Sequence, residues 1–377
     1  MTSNEPERSW DRVDIGALTA ASGSEIGNAT ARQQRVAAPR LARHVLTLER
    51  GHRVGVAVAG RGVPLVLVHG FSAEGFLYAQ TLSRLVASGF RVIAVDTAGH
   101  GSSGGLPDGG GDLQYYAGLL GRAVDHLGVR RAVFAGHSMG GRLVTELVAR
   151  QPRRGIAVVL VDAIVGDTWD AMVRLARVAP PLMGVTGTAL ALDVASTMPV
   201  LRNPRQAAKL GRLWMRNWAH NVRHPTALLG PAVSMLRSGP TRWMLDRLAE
   251  QHVPVIVIHG DRDLPVPIRT ARDTARRARG ELVVVHGASH AWPLKDPETL
   301  PGILAELLGA GCLGDAMASA RRAEGIDPGR ASVEEDERAF IEPGALIHDL
   351  SPPFVFDATD VLRAPPRYRW TRHPAGT

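Results

Sequence analysis

The residue best placed to do chemistry is Ser138, the centre of the run GHSMG over residues 136–140. Apolar residues 132–135 precede this run and indicate a buried strand, and apolar residues at helical spacing follow it. A G-x-S-x-G turn between a strand and a helix holds its serine hydroxyl clear of the backbone, at the positive end of the helix. This position is typical of a nucleophile. A glycine-rich turn without chemistry is the alternative interpretation.

Three residues beside Ser138 support its interpretation as a nucleophile. Gly136 and Gly140 are small enough to let the strand and the helix approach closely at the turn. The amide of Met139 is placed to donate a hydrogen bond to a developing oxyanion. The pattern predicts nucleophilic catalysis.

The elements that must position this serine alternate between buried strands and helices. PLVLVHG (64–70), RVIAVD (91–96), IAVVLVDAI (156–164), PVIVIHG (254–260) and ELVVVHG (281–287) are continuous apolar runs. Runs of this kind are typical of strands buried on both faces of a parallel sheet with helices between them. Two alternating segments on either side of Gly51 predict an antiparallel pair before the first of them.

The alternation of predicted strands and helices defines the expected domains. Residues 44–165 and 251–309 are predicted to form an α/β core, and residues 166–250 a helical cap inserted after the sixth strand. Residues 1–43 have no sustained periodicity and predict a flexible lead-in. Residues 310–377 contain many prolines and predict an irregular C-terminal extension.

Composition limits the function classes. Of the 377 residues, 45% are hydrophobic, and the formal net charge is +8. The chain has no nucleic-acid-binding motif, so we expect no nucleic-acid partner. Cys312 is the only cysteine, which excludes an intrachain disulfide. Without a signal-peptide pattern or a spanning helix, the expected location is the cytoplasm.

The order of these features resembles the α/β-hydrolase superfamily, specifically its capped serine hydrolases of esterase, lipase and lysophospholipase type. The resemblance covers about residues 44–309 and depends on five motifs taken together. They are HGF (69–71), DTAGHGSS (96–103), GHSMGG (136–141), HGDRDLPVP (259–267) and GASHAWPLKDPE (287–298). The resemblance implies a mostly parallel α/β-hydrolase sheet with helices on both faces.

The family's catalytic order, serine then acid then histidine, implies a triad of Ser138, Asp263 and His290. In such a triad the histidine takes the serine proton, and the acid orients the imidazole. The resemblance also implies an oxyanion hole from the backbone amides of Phe71 and Met139. Asp261 and Asp162 remain alternative acids. Asp162 ends the strand that follows the elbow, and some relatives carry their acid at that position.

Other polar residues of the motifs have a structural interpretation. His69, His100, His137 and Asp96 are expected to hold loops together through hydrogen bonds. A serine nucleophile argues against dehalogenase, epoxide-hydrolase and dienelactone-hydrolase chemistry. In the cap, Trp214, Met215 and Trp218 either line an acyl pocket or form the cap's own core.

The expected function is hydrolysis of carboxylic esters, with lipid-like monoesters as substrates, without a cofactor or a metal. The expected partner is a small ester, with peripheral membrane contact if the ester is a lipid. Thioesterase, perhydrolase, carbon–carbon bond hydrolase and acyltransferase activities remain open because they use the same triad. A binding protein without turnover is the alternative from another class. The oligomeric state stays open.

Overall fold

The computed structural model describes residues 42–71, 78–106, 111–179, 188, 225–350 and 365–375. These residues contain a nine-stranded sheet in the order β1-β2-β4-β3-β5-β6-β7-β8-β9. The strands are β1 Ala42–Thr47, β2 Arg53–Ala59, β3 Val63–Val68, β4 Phe90–Val95, β5 Ala132–His137, β6 Gly155–Val161, β7 Val255–Gly260, β8 Glu281–Val285 and β9 Trp370–His373.

The strands from β3 to β8 are parallel to one another, as the alternation of apolar runs predicts. β1 and β2 form the expected antiparallel pair, and β2 continues antiparallel onto β4. β5 lies in the middle of the sheet order. The residue that follows β5 is therefore at the centre of the edge where the carboxyl ends of the parallel strands meet.

Helices cover both faces of the sheet, which confirms the predicted fold class. They are α1 Ala79–Ala87, α2 Leu113–His126, α3 Met139–Arg150, α4 Asp167–Val178, α5 Pro225–Arg237, α6 Arg242–Glu250, α7 Ile268–Ala278, α8 Trp292–Lys295, α9 Thr299–Ala310, α10 Cys312–Ala323, α11 Val333–Phe340 and α12 Leu346–Leu350. Apolar residues of α2, α3, α6 and α7 form one core cluster, and those of α1, α9 and α10 form the other.

The alternation along β3 shows how one strand supplies both cores. Leu65 and Leu67 lie in the cluster with α1 and α9, whereas Val66 and Val68 lie in the cluster with α2 and α3. All four side chains are buried. A strand buried on both faces needs apolar residues at every position, and this need explains the continuous apolar run.

The described parts of the predicted cap lie between β6 and β7 and include the helices α4, α5 and α6. α4 and α6 are joined by Asp170, whose Oδ2 accepts hydrogen bonds from the Thr241 amide at 2.7 Å and the Thr241 hydroxyl at 3.1 Å. Trp214, Met215 and Trp218 lie outside the described residues, as do residues 1–41 of the predicted lead-in. Ala42 and Arg43 already belong to β1. The domain boundaries stay predictions.

The expectation of an irregular C-terminal extension is wrong. Residues after Gly311 form α10, α11 and α12, and β9 pairs antiparallel with β8 at the edge of the sheet. Leu313, Phe340 and Ile347 are fully buried. The prolines that suggested irregularity stand between these elements or outside the described residues, so a proline count says little about the helices.

Within the described part of the chain, no single helix is long and apolar enough to cross a membrane. The bent pair α9 and α10, at 58° to each other, passes the length and composition test when taken together. Its apolar side chains Leu304, Leu307 and Leu313 are buried in the core.

Candidate active site

Ser138 connects β5 to α3 in a strained backbone conformation, with φ 53° and ψ −117°. A non-glycine residue at positive φ is sparsely populated and is held there by its surroundings. Its N–H donates to the Val161 carbonyl at 2.9 Å, and its own carbonyl accepts from the Gly141 amide at 3.0 Å. The neighbouring strand and the first turn of α3 thus hold this conformation.

The two glycines of the motif are required by space. A Cβ at Gly136 would lie 2.4 Å from the carbonyl of Gly140, and a Cβ at Gly140 would lie 2.2 Å from the Val68 carbonyl. Both distances are far below van der Waals contact. The turn therefore needs glycine at both positions to bring α3 against the ends of β5 and β3.

The loop after β3 lies against the same serine. A Cβ at Gly70 would be 3.2 Å from the Ser138 Cβ and 2.8 Å from Nδ1 of His137. Phe71, the next residue, is thus close to the elbow. Met139 is the first residue of α3, so its N–H has no partner within the helix. These are the two amides that sequence analysis assigns to an oxyanion hole.

Asp263 and His290 are brought together from loops at the carboxyl ends of β7 and β8. Nδ1 of His290 donates to Oδ2 of Asp263 at 2.7 Å, and both side chains are buried. Oδ1 of Asp263 accepts from the Val266 amide at 2.7 Å, so both carboxylate oxygens are engaged. With Nδ1 as the donor, Nε2 of His290 is the nitrogen available to act as a base.

The alternative acids have other partners. Oδ1 of Asp261 accepts from the Gly287 amide at 2.7 Å, and its Oδ2 contacts Nδ1 of His286 at 3.2 Å. Oδ1 of Asp162 accepts from the Gly260 amide at 2.8 Å. In the structure it is Asp263 that pairs with His290.

A second histidine places His290 beside the elbow. Nε2 of His137 donates to the backbone carbonyl of His290 at 3.0 Å, and the two rings are 4.9 Å apart. Since Nε2 carries the proton, Nδ1 of His137 accepts, and the Tyr78 hydroxyl lies 2.8 Å from it. Burial raises the pKa of Tyr78, so the phenol remains a donor. Tyr78 was not singled out by sequence analysis, because no local pattern links it to His137.

The other motif histidines hold loops, as the sequence suggests. Nδ1 of His69 donates to the Gly70 carbonyl at 2.7 Å, and its Nε2 accepts from the Thr97 amide at 3.0 Å. Nδ1 of His100 lies 3.1 Å from the Ala98 carbonyl. Oδ2 of Asp96 accepts from the Ser102 amide at 3.0 Å. The bond from Thr97 to His69 joins the loop after β3 to the loop after β4, and the other bonds hold each loop in shape.

Behind Asp263 lies a buried polar cluster that sequence analysis missed. The ligand-type atoms of Asp162, His259 and Asp263 lie within 4.8 Å of one another. Nε2 of His259 donates to the Val266 carbonyl at 2.8 Å. Burial lowers the pKa of His259 to about 3, so this ring is neutral. Because Asp263 and His259 already bind protein groups, we interpret the cluster as support for the acid and not as a metal centre.

The sheet order, the elbow and the paired Asp263 and His290 agree with a family match. The sequence profile described as "Alpha/beta hydrolase family" matches residues 65–300. This chain belongs to the alpha/beta hydrolase family. The matched range begins in β3 and ends in α9, so it includes every motif residue discussed above. The family relationship makes the chain a hydrolase-type enzyme.

Relatives of this alpha/beta hydrolase differ in the activities that their names state. A "putative non-heme haloperoxidase" of Mycobacterium phage D29 is 35% identical over 266 residues, which is 69% of this chain and 92% of that protein. A monoacylglycerol lipase of Mycolicibacterium smegmatis is 29% identical over 228 residues, or 59% of this chain and 78% of the lipase.

A solved structure supports the same fold. A thermophilic esterase from Thermogutta terrifontis superposes with a TM-score of 0.56 and 24% identity, over 71% of this chain and 98% of the esterase. At this identity the likeness concerns the fold of this alpha/beta hydrolase and leaves its substrate to be inferred from the site.

Proposed function

We propose that the chain hydrolyses carboxylic esters through an acyl-enzyme on Ser138, and that lipid-like monoesters such as monoacylglycerols or lysophospholipids are its substrates. The observation that carries the proposal is the 2.7 Å hydrogen bond between the buried side chains of Asp263 and His290. It fixes the imidazole tautomer in which Nε2 carries no proton and can act as a base. The strained, glycine-flanked turn at Ser138 supplies the nucleophile.

Each group has one task in this reaction. His290 takes the Ser138 proton as the hydroxyl attacks the ester carbonyl, and later gives that proton to the leaving alcohol. The amides of Phe71 and Met139 stabilise the oxyanion, each contributing about 3 kcal/mol. Water then attacks the acyl-enzyme with His290 as base, which releases the carboxylic acid and restores the serine.

A fluorophosphonate probe tests the nucleophile. We expect the probe to modify Ser138 in the wild type, and Ser138→Ala to abolish both labelling and most ester turnover, by roughly 10³-fold or more. Ser289→Ala is the matched control, because this serine precedes His290 and its hydroxyl accepts a hydrogen bond from Lys295. Equal labelling of Ser138→Ala and the wild type would refute the assignment.

A series of p-nitrophenyl esters of increasing acyl length tests the substrate class. A lipid-like preference predicts that kcat/KM increases with chain length, because each buried methylene contributes about 0.8 kcal/mol. A maximum at acetate would contradict it. The monoacylglycerol lipase relative favours this substrate class. Co-sedimentation with phosphatidylcholine vesicles tests the accompanying proposal of peripheral membrane contact.

Perhydrolysis is the second candidate, favoured by a relative from Acinetobacter calcoaceticus that is named a bifunctional esterase/perhydrolase and is 27% identical over 269 residues. In that reaction hydrogen peroxide replaces water in attacking the acyl-enzyme, so that an ester and peroxide give a peracid and an alcohol. Adding peroxide to an ester assay and measuring peracid separates the two reactions. A Ser138-dependent peracid yield well above the uncatalysed rate supports perhydrolysis.

A further inference from the structure

Asp162 is a carboxyl group in a place where a carboxylate is costly. It follows β6 with its backbone at φ 45°, and its side chain is fully buried. Its amide donates to the Ile258 carbonyl at 3.0 Å, and its Oδ1 accepts from the Gly260 amide at 2.8 Å. Both bonds fasten it to β7, the strand that leads to Asp263.

The second oxygen of Asp162, Oδ2, is buried and makes no hydrogen bond of normal geometry within the described part of the chain, and neither does the indole N–H of the neighbouring Trp292. An unsatisfied buried oxygen of an ionised carboxylate carries a large desolvation penalty. If the same oxygen carries a proton, it becomes a hydrogen-bond donor. A hydrogen bond to a nearby acceptor then offsets the desolvation penalty.

The acceptor is Asp263, whose carboxylate is also buried and belongs to the same cluster. Two adjacent buried carboxylates cannot both ionise at neutral pH without a cation between them. Asp263 already receives the N–H groups of Val266 and His290, which stabilise its ionised form. The proton is therefore expected on Asp162.

In the part of the chain that the structure describes, the other titratable groups around Asp162 do not supply the missing cation. His259, on β7, is neutral, and its Nδ1 is 3.7 Å from Oδ1 of Asp162, too far for a hydrogen bond. Tyr78, before α1, is a neutral phenol whose pKa is raised further by the charge of an ionised Asp162. His290, in the loop after β8, and His137, the last residue of β5, face His259.

We propose that Asp162 is a neutral carboxylic acid whose Oδ2–H donates a hydrogen bond to the Asp263 carboxylate and thereby holds Asp263 in position for His290. The catalytic consequence of this inference rests on the proposed hydrolase function. The protonation of Asp162 does not depend on that function. Asp162 is then a positioning residue, and the pair keeps a single negative charge next to the imidazole.

Burial and the charge of Asp263 agree with this assignment. Burial, then the charge of Asp263, raise the pKa of Asp162 well above its ordinary value, and hydrogen bonding with Asp263 raises it further. The Gly260 amide and the Trp292 indole oppose the rise as smaller effects.

Infrared spectroscopy of the purified full chain tests the protonation directly. We expect a carbonyl stretch from a buried protonated carboxyl group at pH 7 in the wild type, which is lost in Asp162→Asn and kept in Asp261→Asn. Asp261 is the matched control because its carboxylate is partly exposed. A spectrum without this band, or a band that survives Asp162→Asn, overturns the proposal whether or not the chain hydrolyses esters.

The catalytic consequence is tested by the pH profile of kcat/KM on one soluble ester. Asp162→Asn keeps a donor and removes no charge, so we expect activity within about threefold of the wild type and an unmoved acid limb. Asp162→Ala removes the donor and should lower kcat about 10-fold or more while KM changes little.

If Asp162 were ionised, Asp162→Asn would remove a negative charge beside the imidazole and move the acid limb down by about one pH unit. That shift overturns the proposal, as does Asp162→Ala with wild-type kcat. A wild-type chain that neither turns over esters nor reacts with fluorophosphonate contradicts the proposed function instead, and the infrared result then still decides the protonation.

Discussion

Glu337 on α11 ties the C-terminal segment to the sheet through two ion pairs. Its carboxylate accepts from Nη2 of Arg91 at 2.5 Å and from Nη2 of Arg61 at 2.7 Å. Arg91 lies on β4 and its side chain is only 3% exposed, whereas Arg61 is 28% exposed. Removing the carboxylate leaves the Arg91 guanidinium buried without a counter-charge.

We expect Glu337→Ala to lower the free energy of unfolding by about 3–5 kcal/mol, because removing one partner of a buried ion pair leaves the other charge buried and uncompensated. With an unfolding entropy of about 2.1 cal/mol/K per residue, a chain of 377 residues would show a fall in Tm of roughly 4–6 °C. Urea denaturation followed by tryptophan fluorescence measures the free energy, and calorimetry measures Tm.

Glu334→Ala is the matched control for this prediction. Glu334 lies on the same helix and contacts the same Arg61 at 3.2 Å, but its side chain is 61% exposed. Exposed pairs contribute at most about 1 kcal/mol, so the control should be nearly neutral. Replacing both members of the buried pair, with Arg91→Met and Glu337→Leu, should recover part of the loss. If Glu337→Ala were as mild as Glu334→Ala, the reasoning from burial would be refuted.

Three further predictions follow from the same structure. Asp263→Asn should fold and yet lose about 10⁴-fold in turnover, because an amide favours the wrong imidazole tautomer; Asp261→Asn is the control, and kcat/KM with circular dichroism measures both. Truncation after Ala310 should prevent folding, because it exposes the apolar surface that Leu313, Phe340 and Ile347 cover; a folded truncated chain that still labels at Ser138 would contradict this. Burial lowers the pKa of His259 to about 3, so the unfolded chain binds a proton that the folded chain does not between about pH 6.5 and 3. The free energy of unfolding should decrease as the pH is lowered through that window, by up to about 1.4 kcal/mol per pH unit. A slope unchanged in His259→Gln would count against this assignment.

Local patterns were sufficient for much of the fold. Continuous apolar runs predicted β3 to β8 because a strand buried on both faces must be apolar at every position. The G-x-S-x-G run predicted the elbow because only glycine fits where Gly136 and Gly140 meet neighbouring backbone. These are short-range requirements, and each produces a recognisable pattern within a few consecutive residues.

The C-terminal segment was mispredicted because its elements are held by long-range contacts. α11 is a short, highly charged helix, and what stabilises it is the burial of Phe340 and the ion pairs of Glu337 with β4 and the loop after β2. β9 contains only Trp370–His373 and exists as a strand through its pairing with β8. Nothing within either stretch indicates a partner distant in the chain.

The sequence by itself determined the fold class, the family and the residue types at the candidate site, because these depend on periodicity and on motifs of a few residues. Only the tertiary structure decided which carboxylate binds His290, because Asp162, Asp261 and Asp263 all follow parallel strands at one edge of the sheet. The hydrogen bond between His290 and Asp263 in the folded chain distinguishes Asp263 from the other two carboxylates. The bond of Tyr78 to His137 and the packing of Asp162 behind Asp263 likewise depend on side chains that meet only when the strands are side by side.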